Sequence, residues 1–339
     1  MARTINDVAK EAGVSITTVS RVLNNNYPVK KETREKIEKA IEKLNYRPNT
    51  MARSLITKKT GVIGVVVPGL TNLFFPTVVE AIEEYIDKEG YSIMLCHSKG
   101  DSKRECEIIE GLLSKRVDGI IAIDPSYENL KSGYLGKVCA TVPTILVNGS
   151  PEGFKGNFVS YDEKVGTLEA FDYLYELGHR KIAFIRGDNS FSYDLKENVY
   201  KEFLKDRNID YLEIIKVGQA NSLGVIDKSG DIIRDKIKES EPTAIFCCND
   251  LIALSTMKVC SDLNLEIPRD ISIIGFDNTL ISNIMSPKLT TVDQGMVESG
   301  QRAAMELMDL FDKDIRRNKK IIIDTNLIIR ESTGKVRNT

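Results

Sequence analysis

The 339-residue chain has no apolar run approaching the roughly 18 residues that a membrane-spanning helix requires, so no transmembrane segment is expected. Its first residues, MARTINDVAKEAG, lack the apolar stretch of a secretory leader, and the expected location is cytoplasmic. Histidine is scarce: only His97 and His179 occur, which argues against a histidine-rich metal centre. The six cysteines (Cys96, Cys106, Cys139, Cys247, Cys248 and Cys260) show no C-x-x-C spacing and sit in apolar patterns. They read as reduced core thiols, not as a disulfide framework or metal ligands. There is no G-x-G-x-x-G or Walker loop; GVIGVVVPG places glycines in a strand–loop setting at the wrong spacing. No Ser/His/Asp or Cys/His set with a local signature is present. His179, in ELGHRKIAFI, reads as a structural residue at a helix–strand junction. These absences describe a non-enzyme without cofactor or metal.

Charge is unevenly spread. Residues 1–60 hold 13 Lys/Arg against 6 Asp/Glu, a net of +7, whereas the remainder carries −9. A basic module on an acidic body points to a polyanion partner for the first part alone. Apolar residues at helical spacing predict three short helices there, over 5–12, 16–23 and 32–44. Ile5, Val8, Ala9 and Ala12 form the first inner face. Val19, Val22 and Leu23 form the second, and Ile37, Ala40, Ile41 and Leu44 the third. Gly13 ends the first helix and Ser15 caps the second. Helix, glycine turn and capped helix make a helix-turn-helix, whose second helix lays its first residues on base edges in the major groove. Ile16, Thr17 and Arg21 are therefore the base-reading candidates. Ser15, Thr18, Asn24, Thr33 and Arg34 suit phosphates.

The stretch RPNTMARSLITKKTG follows. Pro48 can open a helix, and 49–56 would make about two turns, too short to be stable alone in water. Leu55 lies on it with no core in sight.

From Gly61 onward apolar runs alternate with amphipathic helices. Strands are expected at 62–67, 92–96, 119–123, 144–147, 181–185, 214–217, 244–248 and 271–276, with helices at 76–89, 103–115, 164–177 and 251–263. That alternation predicts parallel α/β sheets in two lobes. Ligands on such sheets bind beyond the carboxyl ends of the strands. The candidates there are Asn72, Phe74, Phe75, Asp124, Ser126, Asn148, Asn249, Asp250 and Asp277. Each also has a structural reading: Asp250 as a helix cap, Asn148–Gly149 as a turn, Phe74 or Phe75 as core. Together they describe a polar cleft with aromatic walls and few cations, suited to a neutral polyol.

The order of residues adds more. TINDVAKEAGVSITTVSRVLN followed by ETREKIEKAIEKLNYRPNTMARSL closely resembles the DNA-binding headpiece and hinge of the lactose-repressor/galactose-repressor (LacI/GalR) family. Further matches run through the body: GVIGVVVPGLTNLFFPTVVEAIEE, KRVDGIIAI, PTAIFCCNDLIALSTMKV, IPRDISIIGFDNTLISNIMSPKLTTVDQ and NLIIREST. The resemblance implies a helix-turn-helix headpiece (1–46), a hinge helix and linker (47–60), and an effector-binding and dimerisation core (61–339). That core has the two-lobed periplasmic-binding-protein fold, with first lobe 61–160 and 291–322, second lobe 161–290 and 323–332. Its crossovers would fall near 159–162, 289–293 and 321–326, with a helix over 296–311 returning to the first lobe. It further implies a homodimer on a pseudo-palindromic operator, hinge helices that form on DNA, and Leu55 wedged between base steps of the minor groove. Thr4, Ser20, Asn49, Ala52 and Arg53 join the expected DNA contacts, and Asp162 and Lys196 the effector contacts. In sugar-responsive relatives the residues matching Asn249 and Asp277 bind hydroxyls.

Two departures stand out. Lys30 replaces a small hydroxyl residue before the third helix. Lys196, in SYDLKENVYKEFL, replaces an arginine that grips the effector in many relatives, and lysine cannot supply its bidentate fork. The expected function is a repressor of carbohydrate-use genes switched by a small molecule. A purine or nucleoside effector, a protein corepressor, a transporter's solute-binding protein and an enzyme with an appended DNA module are the competing readings.

Overall fold

The computed structural model describes residues 3–24, 27–47, 59–149, 153–188, 190–312 and 318–337. The chain divides into two units, Met1–Thr60 and Gly61–Thr339. Among the described residues the first unit holds α1 (Ile5–Ala12), α2 (Ile16–Asn24) and α3 (Lys31–Lys43). Helix α1 opens on a capping box: Asp7 N–H reaches the Thr4 hydroxyl, and Thr4 N–H donates to the Asp7 carboxylate at 2.8 Å. It closes at Gly13, whose φ of +68° is a left-handed conformation that glycine adopts without a Cβ clash. Ser15 Oγ accepts from Thr18 N–H at 3.1 Å and starts α2. Lys30 opens α3 with no side-chain cap bond, as the missing hydroxyl predicts.

The three inner faces meet in a core of Val8, Ala9, Val19, Val22, Ile37 and Ala40, with Ile5, Leu23, Ile41 and Leu44 packed on it. An ion pair of 2.6 Å between Lys43 and Glu11 ties α3 to α1. The hinge expectations, with Asn49, Ala52, Arg53 and Leu55, lie outside the described residues.

The second unit runs β1 (Val62–Val67), α4 (Phe74–Lys88), β2 (Ser92–His97), α5 (Ser102–Ser114), β3 (Gly119–Ile123), α6 (Tyr127–Lys131), α7 (Tyr134–Thr141), β4 (Thr144–Val147) and β5 (Asn157–Tyr161). It continues with α8 (Glu163–Glu176), β6 (Ile182–Arg186), α9 (Phe191–Asp206), β7 (Glu213–Lys216), α10 (Gly224–Lys228), α11 (Gly230–Ser240), β8 (Ala244–Cys247) and α12 (Asp250–Asp262). The remaining elements are β9 (Ser272–Asp277), α13 (Leu280–Ile284), β10 (Thr290–Asp293), α14 (Met296–Asp312), β11 (Lys320–Ile323) and β12 (Asn326–Ile328).

Two six-stranded sheets result, ordered β11-β5-β4-β3-β1-β2 and β12-β10-β9-β8-β6-β7. All pairs are parallel except β10 with β12. Strands such as β3, β4 and β6 are buried along their whole length, which is why they read as unbroken apolar runs.

The strand pairing moves three expected boundaries: Tyr161 closes β5 of the first sheet, so the first crossing follows it. Residues 291–293 belong to β10 of the second sheet, so that crossing follows Asp293; Ile323 closes β11 of the first sheet, so the last crossing follows it. Strands β5, β10 and β11 overlap the stretches expected as crossovers, and β12 begins where the last of them ends. They are short, β5, β10 and β12 carry Asn or Thr, and the strands they pair with supply the missing hydrogen bonds. Helix α14 returns to the first lobe and packs on α4, where a Cβ on Gly300 would stand 2.5 Å from the Val78 carbonyl oxygen. The second lobe centres on packed rings: Phe171 stacks on Tyr200 with centroids 5.2 Å apart and lies tilted against Phe246 at 4.8 Å.

Candidate functional site

On the first unit, α2 presents its first turn outward. Ile16 is 48% exposed, and Thr17 and Arg21 are exposed beside it. An apolar Ile left in water at a helix start costs burial energy that a thymine methyl would return. The Arg21 guanidinium lies 5.1 Å from the Tyr27 ring, which limits its conformations without using its N–H donors. Ser15 and Thr18 hydrogen-bond each other at 2.8 Å at the helix start; Ser20 and Thr33 are half-buried. Thr4, expected on DNA, has its hydroxyl engaged with Asp7. Asn24 is the last residue of α2.

The second site lies between the lobes. The carboxyl ends of both sheets face one small cavity of about 30 Å³. Asn72, Phe74, Phe75, Asp124 and Asn148 enter from the first lobe; Ser190, Tyr193, Lys196, Asn249 and Asp277 from the second. Eight of the eleven candidates are thus brought together; Ser126, Asp162 and Asp250 do not line this cavity. Asp162 is a correction: its carboxylate caps α8, accepting from Val165 N–H at 3.2 Å, and it does not line the cavity. Asn249, not Asp250, caps α12, and the Asp250 carboxylate instead accepts from the Thr279 amide and from the Thr279 and Thr291 hydroxyls at 2.7–2.8 Å. Phe74 and Phe75 serve both readings, lining the cavity and joining the first-lobe core.

The backbone at these strand ends is unusual. Asp124, Asn148 and Asp277 have φ of +46°, +67° and +117°, a region that Asp and Asn tolerate better than other non-glycine residues. The turn out of each strand thereby carries a short polar side chain at the cleft. Both N–H donors of Asn249 are committed, Nδ2 donating to Tyr193 Oη and the Ala220 carbonyl, while Oδ1 accepts the Ile252 N–H. Tyr193 in turn donates to Asn221 Oδ1 at 2.8 Å. Asn249 therefore holds Tyr193 and the 220–221 loop in place.

Lys196 is almost fully buried. Its ammonium donates to Ser192 Oγ at 2.7 Å and Glu163 Oε1 at 3.2 Å and lies 3.7 Å from the centroid of the Phe276 ring. Ser192 donates to the same carboxylate at 2.5 Å. Asp277 Oδ1 accepts from Gln294 Nε2 at 2.6 Å. Glu163, Ser190, Ser192, Tyr193, Asn221, Cys248 and Gln294 line the cavity although sequence reasoning missed them. Gln294 follows β10 and would have met the strand-end rule had β10 been recognised. Glu163 sits in the first turn of α8, where nothing marks it as facing a lysine 33 residues away.

Burial, then the nearby Glu163, push the Asp124 carboxyl up to about 7, with Lys196 opposing. Burial and Asp250 push Asp277 well above the carboxylate range. A folded-state value above the unfolded one means that stability present at low pH is lost as pH rises through about 7. Asp124→Asn is therefore expected to melt roughly 3–8 °C above wild type at pH 8, with the gap closing towards pH 5. Melting curves across that range check it; a gap independent of pH would remove the charge explanation.

A wider cavity of about 860 Å³ opens at the mouth, sharing Asp124, Ser190 and Asn221 with the inner one. The lobes meet there through Tyr127 and Phe191, ring centroids 5.5 Å apart, and through Leu223 N–H on Thr71 Oγ1 at 3.0 Å. His179 stays away from the cleft, bonded to Thr243 and the Gly334 carbonyl, both at 3.0 Å. All six cysteines carry free thiols. No helix among the described residues is long and apolar enough to cross a membrane.

A helix-turn-helix unit joined to a two-lobed binding cleft defines a transcription regulator that answers to a small molecule. Comparison with known proteins agrees. Residues 4–49 match the model of bacterial regulatory proteins of the lacI family, and residues 171–333 a periplasmic binding protein-like domain. The transcriptional repressor PurR of Vibrio atlanticus is 35% identical, covering 99% of both chains. Catabolite control protein A of Priestia megaterium is 32% identical over 97% of this chain and 99% of its own. Among solved structures, the Lac repressor dimer bound to operator and an anti-inducer is 28% identical, with a TM-score of 0.86, 98% of this chain and 100% of that one covered. A LacI-family regulator of Enterococcus faecium with bound ribose is 26% identical, TM-score 0.71, over 81% of this chain and 100% of its own. The chain belongs to the LacI family of bacterial transcription regulators.

Proposed function

We propose that the chain is a homodimeric, cytoplasmic repressor whose affinity for a pseudo-palindromic operator changes when a carbohydrate-class effector occupies the interlobe cleft. The observation that carries this is the convergence of both sheets' carboxyl ends on one cavity with Asn72, Asn148 and Asp277 at its wall and Phe74 and Phe75 behind them. Short amide and carboxylate groups there suit one polar substituent of a sugar, whose ring fits the adjoining cavity of about 860 Å³ lined by Thr71, Ser98, Asp101, Ser126 and Tyr127. Similarity to a structure with bound ribose supports the same class. The cation of the inner cavity, Lys196, is already neutralised by Glu163, which disfavours a phosphate.

An effector held by both lobes stabilises one lobe arrangement over another and so shifts the equilibrium between DNA-binding and released dimers. Two headpieces related by a two-fold axis match two half-sites about one helical turn apart. The direct test is a thermal-shift titration against hexoses, pentoses, amino sugars, sugar phosphates and nucleosides. A sugar is expected to give a saturable rise, about 2.7 kcal/mol of stabilisation at a hundredfold excess over Kd, which Asp277→Ala abolishes. A nucleoside or a sugar phosphate as the best ligand would replace the carbohydrate reading.

A further inference from the structure

The cleft contains polar atoms that the protein itself leaves unanswered. Ser190 is 7% exposed and stands at the N-cap position of α9, yet its hydroxyl caps nothing and has no hydrogen-bond partner. Gln294 spends its Nε2 on Asp277, and its buried Oε1 accepts nothing. The Asp124 carboxylate makes no hydrogen bond or ion pair with any described residue. The buried Ser190 hydroxyl and Gln294 Oε1 would ordinarily find partners, because an unmade hydrogen bond in a low-dielectric site is costly, while the half-buried Asp124 carboxylate is open to the cavity. All three line the inner cavity, and Asp124 and Ser190 also line the outer one.

Size and sign narrow what would answer them. The inner cavity, about 30 Å³, has room for one or two groups the size of a water molecule, far less than a sugar ring. The outer cavity, about 860 Å³, holds a whole small molecule. Acidic groups dominate the inner wall: Asp124, Glu163 and Asp277 against Lys196, whose ammonium is taken by Glu163 and Ser192. What is missing is a compact donor of positive charge. An alkylammonium supplies three N–H donors and no lone pair, whereas a hydroxyl brings one donor and further acceptor capacity.

We infer that the effector carries a protonated amine, seated in the inner cavity among Asp124, Asp277, Gln294 Oε1 and Ser190 Oγ, with its polar body in the outer cavity. This rests on the reading of the cleft as the site of a carbohydrate-class effector and narrows that class to amino sugars. The upward displacement of Asp124 and Asp277 fits it, since an arriving cation removes the penalty on their ionised forms. Lys196 does not oppose it, being compensated by Glu163.

Isothermal titration calorimetry on the full-length protein tests the inference. The ligands are glucosamine, galactosamine and mannosamine, each against its parent hexose and its N-acetyl derivative, with putrescine as an amine lacking a ring. At least one amino sugar is expected to bind about tenfold or more tightly than both neutral counterparts, the size of a charge-assisted hydrogen bond. Asp124→Asn is expected to reduce that preference to about twofold, and Ser190→Ala, which leaves the charges intact, to weaken the amine by roughly threefold. A parent hexose bound as tightly as its amine overturns the amine and leaves the carbohydrate reading standing. Putrescine bound above every sugar supports the amine and overturns the carbohydrate body. Silence from all compounds overturns both.

Discussion

Lys196→Ala is expected to lower the melting temperature by roughly 6–15 °C, from a loss of about 3–5 kcal/mol. Side-chain exposure is 2% for Lys196 and 3% for Glu163, so neither charge has water to fall back on. Removing the ammonium leaves a buried carboxylate with a single hydroxyl donor, Ser192, and an empty space against the Phe276 ring. The cost is mostly that of the orphaned charge. Hence the double variant Lys196→Met with Glu163→Gln is expected to recover most of the loss, because replacing a buried ion pair by neutral groups of similar volume is often close to neutral. Calorimetric melts of wild type, single and double variants separate the two contributions. A single variant melting within about 2 °C of wild type would show that the pair is hydrated in solution and that its burial contributes little.

Leu55→Ala is expected to weaken operator binding by about tenfold or more while leaving the melting temperature of the core unchanged. The resemblance of RPNTMARSLITKKTG to the family's hinge implies the wedge, and the residues around Leu55 agree with it. Leu55 is an apolar residue on a segment too short to be a stable helix alone, flanked by Arg53 and Lys58, in a chain whose first 60 residues carry a net +7. A leucine driven between base steps opens and bends the duplex, and the bend brings more basic surface onto phosphates. Alanine keeps helix propensity but cannot reach between the bases, so the effect isolates the wedge from the helix. An electrophoretic shift titration against the cognate operator at fixed salt reads it directly. Unchanged affinity would sink the wedge, and an equal loss on non-cognate DNA would reassign Leu55 to general backbone binding.

Much of the molecule is legible from residue order because its elements carry their own signals. Helices α1 to α3 lie within one residue of the expected ends, since Thr4, Gly13 and Ser15 mark those ends locally and apolar residues recur at helical spacing between them. Strands β1, β3 and β4 match because a fully buried parallel strand is a short unbroken apolar run. The strand-end rule placed Asn72, Asp124, Asn148, Asn249 and Asp277 in one cleft without any contact being known.

The failures share a cause. Strands β10 and β12 carry Thr, Asp and Asn, and become strands only because a neighbour offers a ladder; with β10 unread, Gln294 stayed hidden. The resemblance implies Asp162 as an effector contact, but its carboxylate is turned to the start of α8.

Local chemistry, then, was enough for the class of molecule: a basic helix-turn-helix module, two parallel α/β lobes and a polar cleft follow from periodicity, caps and charge. Which of the cleft's charges are spent and which are free was settled only by folding. Glu163, Ser192 and Lys196 are brought together by the packing of α8 against α9, while the Ser190 hydroxyl and Gln294 Oε1 end at the cavity with no partner. A pairing across 33 residues depends on helix orientation and depth of burial, and those are properties of the packed chain that no local pattern encodes.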